Sequence, residues 1–188
     1  MADALAPWRL LSSRTLVQDR WLTVRADTLE TSEGTRIDPC YVIEQPDAVA
    51  IVAVTPDQHL VLVRQHRHPF GAATLEFPAG HMEPGEDPIA AALRELEEET
   101  GYRAANARLL RTVQMNPVRN TNALHVVMAA GAAPIGQSED NPHERTAAAL
   151  WPLSNAAALF HDPSFVSLGN CGVLGMALHA FAAQETGA

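Results

Sequence analysis

The chain has 188 residues, of which 47% are hydrophobic and 19% charged, and its formal net charge is −9. This length suits one domain with at most a small appendage, and the hydrophobic content excludes a disordered chain. The acidic balance argues against general binding to nucleic acids or anionic membranes, and no apolar run approaches the ~20 residues that span a bilayer. Residues 1 to 20 lack a signal-peptide pattern and the two cysteines form no metal or redox motif, so we expect a cytoplasmic protein.

Residues 8 to 45 contain three segments rich in β-branched and aromatic residues, with a turn that ends at Gly34. This pattern predicts a meander of short strands. The segments AVAIVAVT and HLVLVRQHR follow and are separated by a turn at Pro56-Asp57-Gln58. Their nearly continuous apolar character predicts a hairpin of strands that are covered on both faces.

A helix is predicted over residues 88–100, after the short strand in TLEFPAG. Asp87 supplies an N-cap, Pro88 lies in the first turn and Gly101 ends the helix. Three further strands and two closing helices are predicted downstream. The strands are expected near 107–115, 123–130 and 146–152, and the helices in SNAAALFHDP and NCGVLGMALHAFAAQE. Strands mixed with a few helices in this order predict an α/β sandwich, in which a sheet lies between helices.

Four glutamates crowd the end of the predicted helix: Glu95, Glu97, Glu98 and Glu99. At 100° per residue, Glu95, Glu98 and Glu99 fall within an arc of roughly 100° beside the apolar stripe, whereas Glu97 points away from it. Exposed like charges cost only ~0.2–0.5 kcal/mol per pair, so this run taken alone favours a solvated surface.

The residues around the glutamates change that interpretation. Gly80 is followed after five residues by Glu86, and after seven more by Arg94-Glu95-Leu96; Glu98-Glu99 and Gly101-Tyr102 then follow at one-residue gaps. This frame resembles the Nudix box, G-x5-E-x7-R-E-U-x-E-E-x-G-U with U apolar or aromatic, at every fixed position. With usage of about 5–7% for each specified residue type, a chance match is on the order of one in a billion per starting position.

The resemblance implies a Nudix α/β/α sandwich with a mixed sheet over residues 46–188. It also implies a small, dimerising β-strand subdomain over residues 1–45. The implied activity is hydrolysis of a nucleoside diphosphate linked to another group, with Mg²⁺ as cofactor and Mn²⁺ as a possible substitute.

The implied metal ligands are three carboxylates and one backbone carbonyl. Carboxylates together with waters and substrate phosphates suit Mg²⁺, and bound cations would compensate the crowded negative charge. Arg94 and Glu86 are expected to pair and to brace the loop against the helix. The ligands are Glu95, Glu98, Glu99 and the carbonyl of Ala79.

Three further features resemble the ADP-ribose pyrophosphatase branch of this family. Arg67, before the box, matches an arginine that contacts substrate phosphate there, and Arg64 is a weaker candidate. Pro117 lies 16 residues after Gly101, about where that branch carries a proline associated with ADP-ribose preference. Trp21 matches an aromatic residue that stacks on adenine, although a tryptophan in a strand is more often part of the core.

Other positions leave alternatives open. Arg119, Asn120 and Asn122 stand where that branch has small residues, and they either read a different sugar or base or satisfy loop backbone groups. The expected general base is Glu144, in an acidic loop after the box, with three competitors. These are Glu139, Asp140 and Glu98.

The leading hypothesis is Mg²⁺-dependent hydrolysis of ADP-ribose or a related nucleoside diphosphate sugar by a homodimer. The products would be a nucleoside monophosphate and a sugar phosphate. One alternative is a Nudix hydrolase of another nucleotide, such as a dinucleoside polyphosphate, NADH, FAD or a damaged nucleoside triphosphate. Another is a non-catalytic nucleotide sensor. The expected partner is a small-molecule nucleotide in each case.

Overall fold

The computed structural model describes residues 6–136 and 146–185. Within this part, the chain divides into two compact units. One runs through Pro46 and includes Gln114–Ala123, and the other comprises Asp47–Val113 and the described residues from Leu124 onward. No helix in the described ranges is both long and apolar enough to cross a membrane.

Strands and helices follow the predicted order along the chain. The strands are β1 (Arg9–Gln18), β2 (Thr23–Glu30), β3 (Arg36–Glu44), β4 (Ala48–Val54), β5 (His59–Arg67), β6 (Ala72–Glu76), β7 (Ala79–His81), β8 (Tyr102–Arg103), β9 (Asn106–Gln114), β10 (Ala123–Ala130), β11 (Ala133–Pro134) and β12 (Thr146–Pro152). The helices are α1 (Pro88–Thr100), a 3₁₀ helix (Leu153–His161) and α2 (Leu168–Glu185).

The first unit is built on an antiparallel sheet of three strands in the order β1-β2-β3. This confirms the predicted meander. Every residue of β1 is exposed, including Leu10, Leu16 and Val17. The segment Gln114–Ala123 joins this unit through a bridge between Ile43 and Asn120.

The second unit contains a mixed sheet in the order β12-β5-β4-β10-β9, in which β4 and β10 are parallel. Alternate residues of β4 supply two separate hydrophobic clusters. Val49, Ile51 and Ala53 pack with residues of α1, whereas Val52 and Val54 pack with residues of α2. The sheet therefore lies between helices, and the predicted α/β/α sandwich is confirmed.

Strands β4 and β5 form the predicted hairpin but separate soon after the turn. They pair only at Ala53 with Val61 and at Val54 with Leu60. Beyond these pairs β6 binds to β5 and β7 binds to β4, so both short strands lie in the gap between them. In this gap β7 lies beside α1. Ala79, the first residue of β7, donates its N–H to Glu99 Oε2 at 2.9 Å.

Helix α1 has the predicted ends. Asp87 Oδ1 accepts hydrogen bonds from the N–H groups of Ile89 and Ala90, which caps the first turn. Gly101 has φ 67°, a left-handed conformation that favours glycine, and its N–H donates to the carbonyl of Glu97. The expected boundaries at 88 and 100 are confirmed.

The first of the two closing helices differs from the prediction. It is a 3₁₀ helix that is interrupted at Asn155, where φ is −116° and ψ is 19°. The Asn155 carbonyl accepts a hydrogen bond from Trp151 Nε1 at 2.9 Å. The non-helical backbone at this residue separates two short helical turns, so a regular α-helix does not form there.

Gly80 in β7 lies directly against the Glu95 side chain. A Cβ at this position would come within 2.1 Å of Glu95 Oε1. A contact this short forces a shift, so a side chain at position 80 displaces the carboxylate at the end of the Glu95 side chain. The first glycine of the box therefore allows the Glu95 carboxylate to lie against β7.

We expect Gly80→Ala to displace Glu95 from Arg94 and to lower the free energy of unfolding by about 1–3 kcal/mol. Gly175→Ala is the matched control, because its added methyl group meets nothing within 4 Å on an exposed position of α2. That control should raise the free energy of unfolding by about 0.5–1 kcal/mol. Urea denaturation measures both; effects of the same sign would contradict the close-approach argument.

Candidate active site

Three glutamates near the end of α1, Glu95, Glu98 and Glu99, differ in their degree of burial. Glu95 and Glu99 are 9% and 8% exposed, and the side chain of Glu98 is 41% exposed. Glu97 points away from them, as predicted, and forms a bidentate ion pair with Arg103 at 2.6 and 2.8 Å. The structure therefore brings Glu95, Glu98 and Glu99 to one side of the helix, with only Glu98 partly open to solvent.

Arg94 holds several of these acids together. Its Nε and Nη2 donate to the two carboxylate oxygens of Glu86 at 3.0 and 3.1 Å, which confirms the predicted brace. Its Nη1 also donates to Glu95 Oε1 at 2.7 Å and to Glu98 Oε2 at 3.2 Å. The hydrogen bond to Glu86, followed by those to the α1 carboxylates, outweighs burial and raises the pKa of Arg94. The same bond lowers the pKa of Glu86.

Glu99 is tied to two neighbouring strands. Its Oε2 accepts the N–H of Ala79, and its backbone carbonyl accepts Thr146 Oγ1 at 2.8 Å. Ala79, predicted as a carbonyl ligand, therefore lies at the site and contacts Glu99 through its N–H. Strand β12 is anchored at the same end of α1 by the Thr146 contact.

The donor set suits a hard divalent cation. It consists of carboxylate oxygens, and the Arg94 guanidinium already bridges Glu95 and Glu98, so this arrangement accommodates positive charge between them. Within the described ranges, no three Asp, Glu, His or Cys side chains are grouped closely enough to hold a metal ion as they stand.

Arg67, the predicted phosphate contact, lies at the end of β5. Its Nε and Nη2 donate to Glu76 Oε1 and Oε2, each at 2.8 Å. Burial raises the pKa of Glu76, but hydrogen bonds from Arg67 and Thr74 and the charge of Arg67 outweigh it, so the pKa lies below its usual value. Glu76 is therefore an ionised, buried partner of Arg67. Sequence reasoning missed it, although an acidic residue within the apolar TLEFPAG strand was a visible signal.

Arg64, the weaker candidate, lies elsewhere on β5. It is exposed, and its charge contributes to a lowered pKa of Asp162, after the hydrogen bonds from Ser164. The structure thus places Arg64 near an acidic residue of the segment that follows the 3₁₀ helix.

Trp21 lies in the connection between β1 and β2, not in a strand, and it is 60% exposed. The interpretation of Trp21 as a core residue is therefore wrong. Asp19 Oδ1 accepts the N–H groups of Trp21 and Leu22, which fixes the turn, and Arg20 Cζ lies 4.4 Å from the centroid of the Trp21 ring. An ordered, accessible ring of this kind suits stacking against a flat ligand.

Pro117 and Arg119 are exposed in a turn of the first unit. The side chain of Asn120 donates to Gln45 Oε1 at 3.3 Å and to Asn122 Oδ1 at 3.4 Å, and Asn122 is 4% exposed. These contacts favour the structural interpretation of the two asparagines, which hold the loop. The candidate bases Glu139, Asp140 and Glu144 lie outside the described residues.

Two family models match the chain. A family model described as the NUDIX domain matches residues 44–166, and one described as the nucleoside diphosphate sugar hydrolase N-terminal domain matches residues 8–43. The first match includes every residue of the box.

Two relatives are similar over most of the chain. The ADP compounds hydrolase NudE of Escherichia coli is 32% identical over 177 residues, which are 93% of each protein. The ADP-ribose pyrophosphatase of Mycobacterium tuberculosis is 32% identical over 173 residues, covering 90% of this chain and 82% of that protein. Several other relatives are matched over 39% to 66% of their own length.

The fold is also similar to a solved structure. A crystal structure of an ADP compounds hydrolase superposes with a TM-score of 0.86 at 30% identity, covering 97% of this chain and 98% of that one. The family model spans well over half of the chain, and the similarity to NudE is nearly end to end. The chain therefore belongs to the Nudix family.

Proposed function

We propose that this protein hydrolyses the pyrophosphate bond of ADP-ribose or a related nucleoside diphosphate sugar, with Mg²⁺ as cofactor. The observation that carries the proposal is the set of three carboxylates near the end of α1. Arg94 binds Glu95 and Glu98, and Glu95 also lies against Gly80. Glu99 accepts the N–H of Ala79. The names of the relatives, an ADP compounds hydrolase and an ADP-ribose pyrophosphatase, support the choice of substrate. The products are a nucleoside monophosphate and a sugar phosphate.

The residues that we propose to hold Mg²⁺ are Glu95, Glu98, Glu99 and the carbonyl of Ala79. When bound there, the metal supplies charge neutralisation on the pyrophosphate and a water of lowered pKa that attacks phosphorus. The ligands are oriented by contacts that the structure describes, since Arg94 fixes Glu95 and the amide of Ala79 fixes Glu99. Such supporting contacts normally tune a metal site.

The other proposed roles concern the substrate and the proton. Arg67 binds a phosphate, and Trp21 stacks on the base. Pro117 and Arg119 shape the sugar or base pocket. Glu98, whose side chain is the most exposed of the three, is suited to accept a proton from the attacking water, and Glu144 is the second candidate for that role.

We further propose that residues 1–45 form a subdomain that dimerises the chain. Strand β1 is an edge strand of ten residues, and its exposed side chains include several large hydrophobic ones. A long, apolar edge is a liability in an isolated monomer and is usually covered. Cys40 and Cys171 are both free thiols, which supports a reducing, cytoplasmic location.

The substrate is tested by incubating the protein with Mg²⁺ and a panel of ADP-ribose, ADP-glucose, GDP-mannose, diadenosine polyphosphates and NADH. We expect ADP-ribose to give AMP and ribose 5-phosphate, and removal of the metal with EDTA to stop the reaction. A preference for a dinucleotide would favour the alternative hydrolase. If none of these compounds is cleaved, the proposed enzymatic activity is refuted, and the hypothesis of a non-catalytic nucleotide sensor remains.

Glu98→Gln and Glu99→Gln should each lower kcat/KM by roughly 100-fold or more, because each removes a charged oxygen ligand. The fold should persist, since both replacements keep their size and the amide oxygen introduced by Glu99→Gln can still accept the N–H of Ala79. Glu97→Gln is the control, because Glu97 faces Arg103 and should be dispensable for turnover. Steady-state kinetics measures the change, and near-normal rates in the first two variants would rule out their cation role.

The dimer proposal predicts a particle of twice the 20.2 kDa chain mass in solution. Leu10→Arg should shift the population towards monomers, because it places a charge on the exposed edge strand. Multi-angle light scattering over a dilution series measures both. A wild-type monomer at all concentrations would remove the dimerising role of residues 1–45.

A further inference from the structure

Glu76 is a buried carboxylate in a network that extends beyond Arg67. Thr74 Oγ1 donates to Glu76 Oε1 at 2.6 Å, and Asn170 Nδ2 donates to Glu76 Oε2 at 3.5 Å. Glu76 is 8% exposed, whereas the side chain of Arg67 is 45% exposed. The carboxylate is thus the anchored member of the pair, and the guanidinium is the member that reaches the surface.

This network lies on the face of the sheet that α1 covers. Thr146 Oγ1 donates to a carbonyl in the last turn of α1, which places Thr146 on that face. Thr146 pairs with Gln65, Gln65 pairs with Thr74, and directly paired residues project from the same face. Arg67 and Glu76 are each two residues along their strands from this row, so they share its face. Arg67 is therefore on the same side of the sheet as the α1 carboxylates.

Asn170 approaches the network from the other layer. It lies in the first turn of α2, and α2 packs on the opposite face of the sheet. Its Oδ1 accepts the N–H of Phe77 at 2.9 Å while its Nδ2 reaches Glu76. These contacts are made at the gap where β4 and β5 diverge, so a side chain of one layer can reach the other there.

We propose that Glu76 is a positioning residue. Its carboxylate binds one edge of the Arg67 guanidinium and so fixes the orientation in which that group contacts the phosphates of the substrate. Asn170 supports this role by fixing the Glu76 carboxylate from the far layer. The inference rests on the proposed function, since it assigns to Glu76 a part in binding the nucleoside diphosphate.

The physical reason is preorganisation. A free arginine side chain has many rotamers, and ordering it at the moment of binding weakens affinity. A bidentate pair with an anchored carboxylate fixes the plane of the guanidinium before the substrate arrives. An interaction that is equal in the ground state and the transition state changes KM and leaves kcat unchanged.

Glu76→Gln removes the charge of the anchor and keeps its size. We expect it to raise KM about tenfold or more, as loss of an orienting partner does, with kcat within about twofold of wild type. In an Arg67→Ala background the same substitution should cause little further loss, because Glu76 acts only through Arg67. Equal losses in both backgrounds, or a loss in kcat alone, would overturn the positioning role.

Two more variants test whether a purely structural effect could explain the rise in KM. Glu97→Gln weakens a bidentate arginine pair outside this network, with Arg103, and should leave KM unchanged. Asn170→Asp keeps an acceptor for the N–H of Phe77 but places a carboxylate oxygen against Glu76. It should raise KM, as Glu76→Gln does. It therefore tests the positioning role of Glu76 even if Glu76→Gln does not fold. An unchanged KM in Asn170→Asp would contradict the support role.

A binding measurement separates this inference from the proposed function. Calorimetric titration of the wild type and Glu76→Gln with ADP and Mg²⁺ should show about tenfold weaker binding to the variant. If the wild type cleaves the substrate and the variant matches it in KM and in ADP affinity, only the positioning role fails. If the wild type neither cleaves nor binds any nucleoside diphosphate, the proposed function fails, and the role of Glu76 fails with it.

Discussion

The contacts of Arg94 are the constraint on which the arrangement of this site depends. A helix that carries three carboxylates beside its buried face would be destabilised by their repulsion and desolvation. One guanidinium joins two of them to Glu86 in the preceding loop, so the negative charge is compensated and the loop is held against the helix. The arginine of the box thus has a structural role. Its positive charge allows the acidic side chains of α1 to lie where they are partly shielded from solvent.

Much of the fold was predictable from sequence because its signals are local. Asp87 and Gly101 mark the ends of α1 through their own hydrogen bonds and backbone preferences. The apolar β4 and the first half of β5 are buried, as their sequences predict, whereas Arg64, His66 and Arg67 in the second half of β5 are exposed. The box is also local, since Gly80 to Tyr102 contains its own loop, helix and brace. Such features depend on residues a few positions apart, so a single sequence suffices to identify them.

The features that were missed depend on contacts that no spacing pattern reveals. The composition around Trp21 predicts a strand. In the structure Asp19 Oδ1 accepts the backbone N–H of Trp21 in a turn, and the Trp21 ring is exposed. The helix after β12 is interrupted at Asn155, whose carbonyl accepts a hydrogen bond from the Trp151 side chain. Glu76 and Asn170 are 94 positions apart, and only the folded chain joins them. Contacts of this kind override local propensity.

The gap between β4 and β5 has a consequence for how much the chain can vary in length there. Only Phe77 and Pro78 separate β6, which is paired with β5, from β7, which is paired with β4. The Pro78 carbonyl also accepts the N–H of Ile51, and the Phe77 ring packs edge-on against Phe165. A single inserted or deleted residue would turn one short strand over relative to the other, exchanging core and site side chains. The length of this two-residue connection therefore fixes the register of β7 relative to β6.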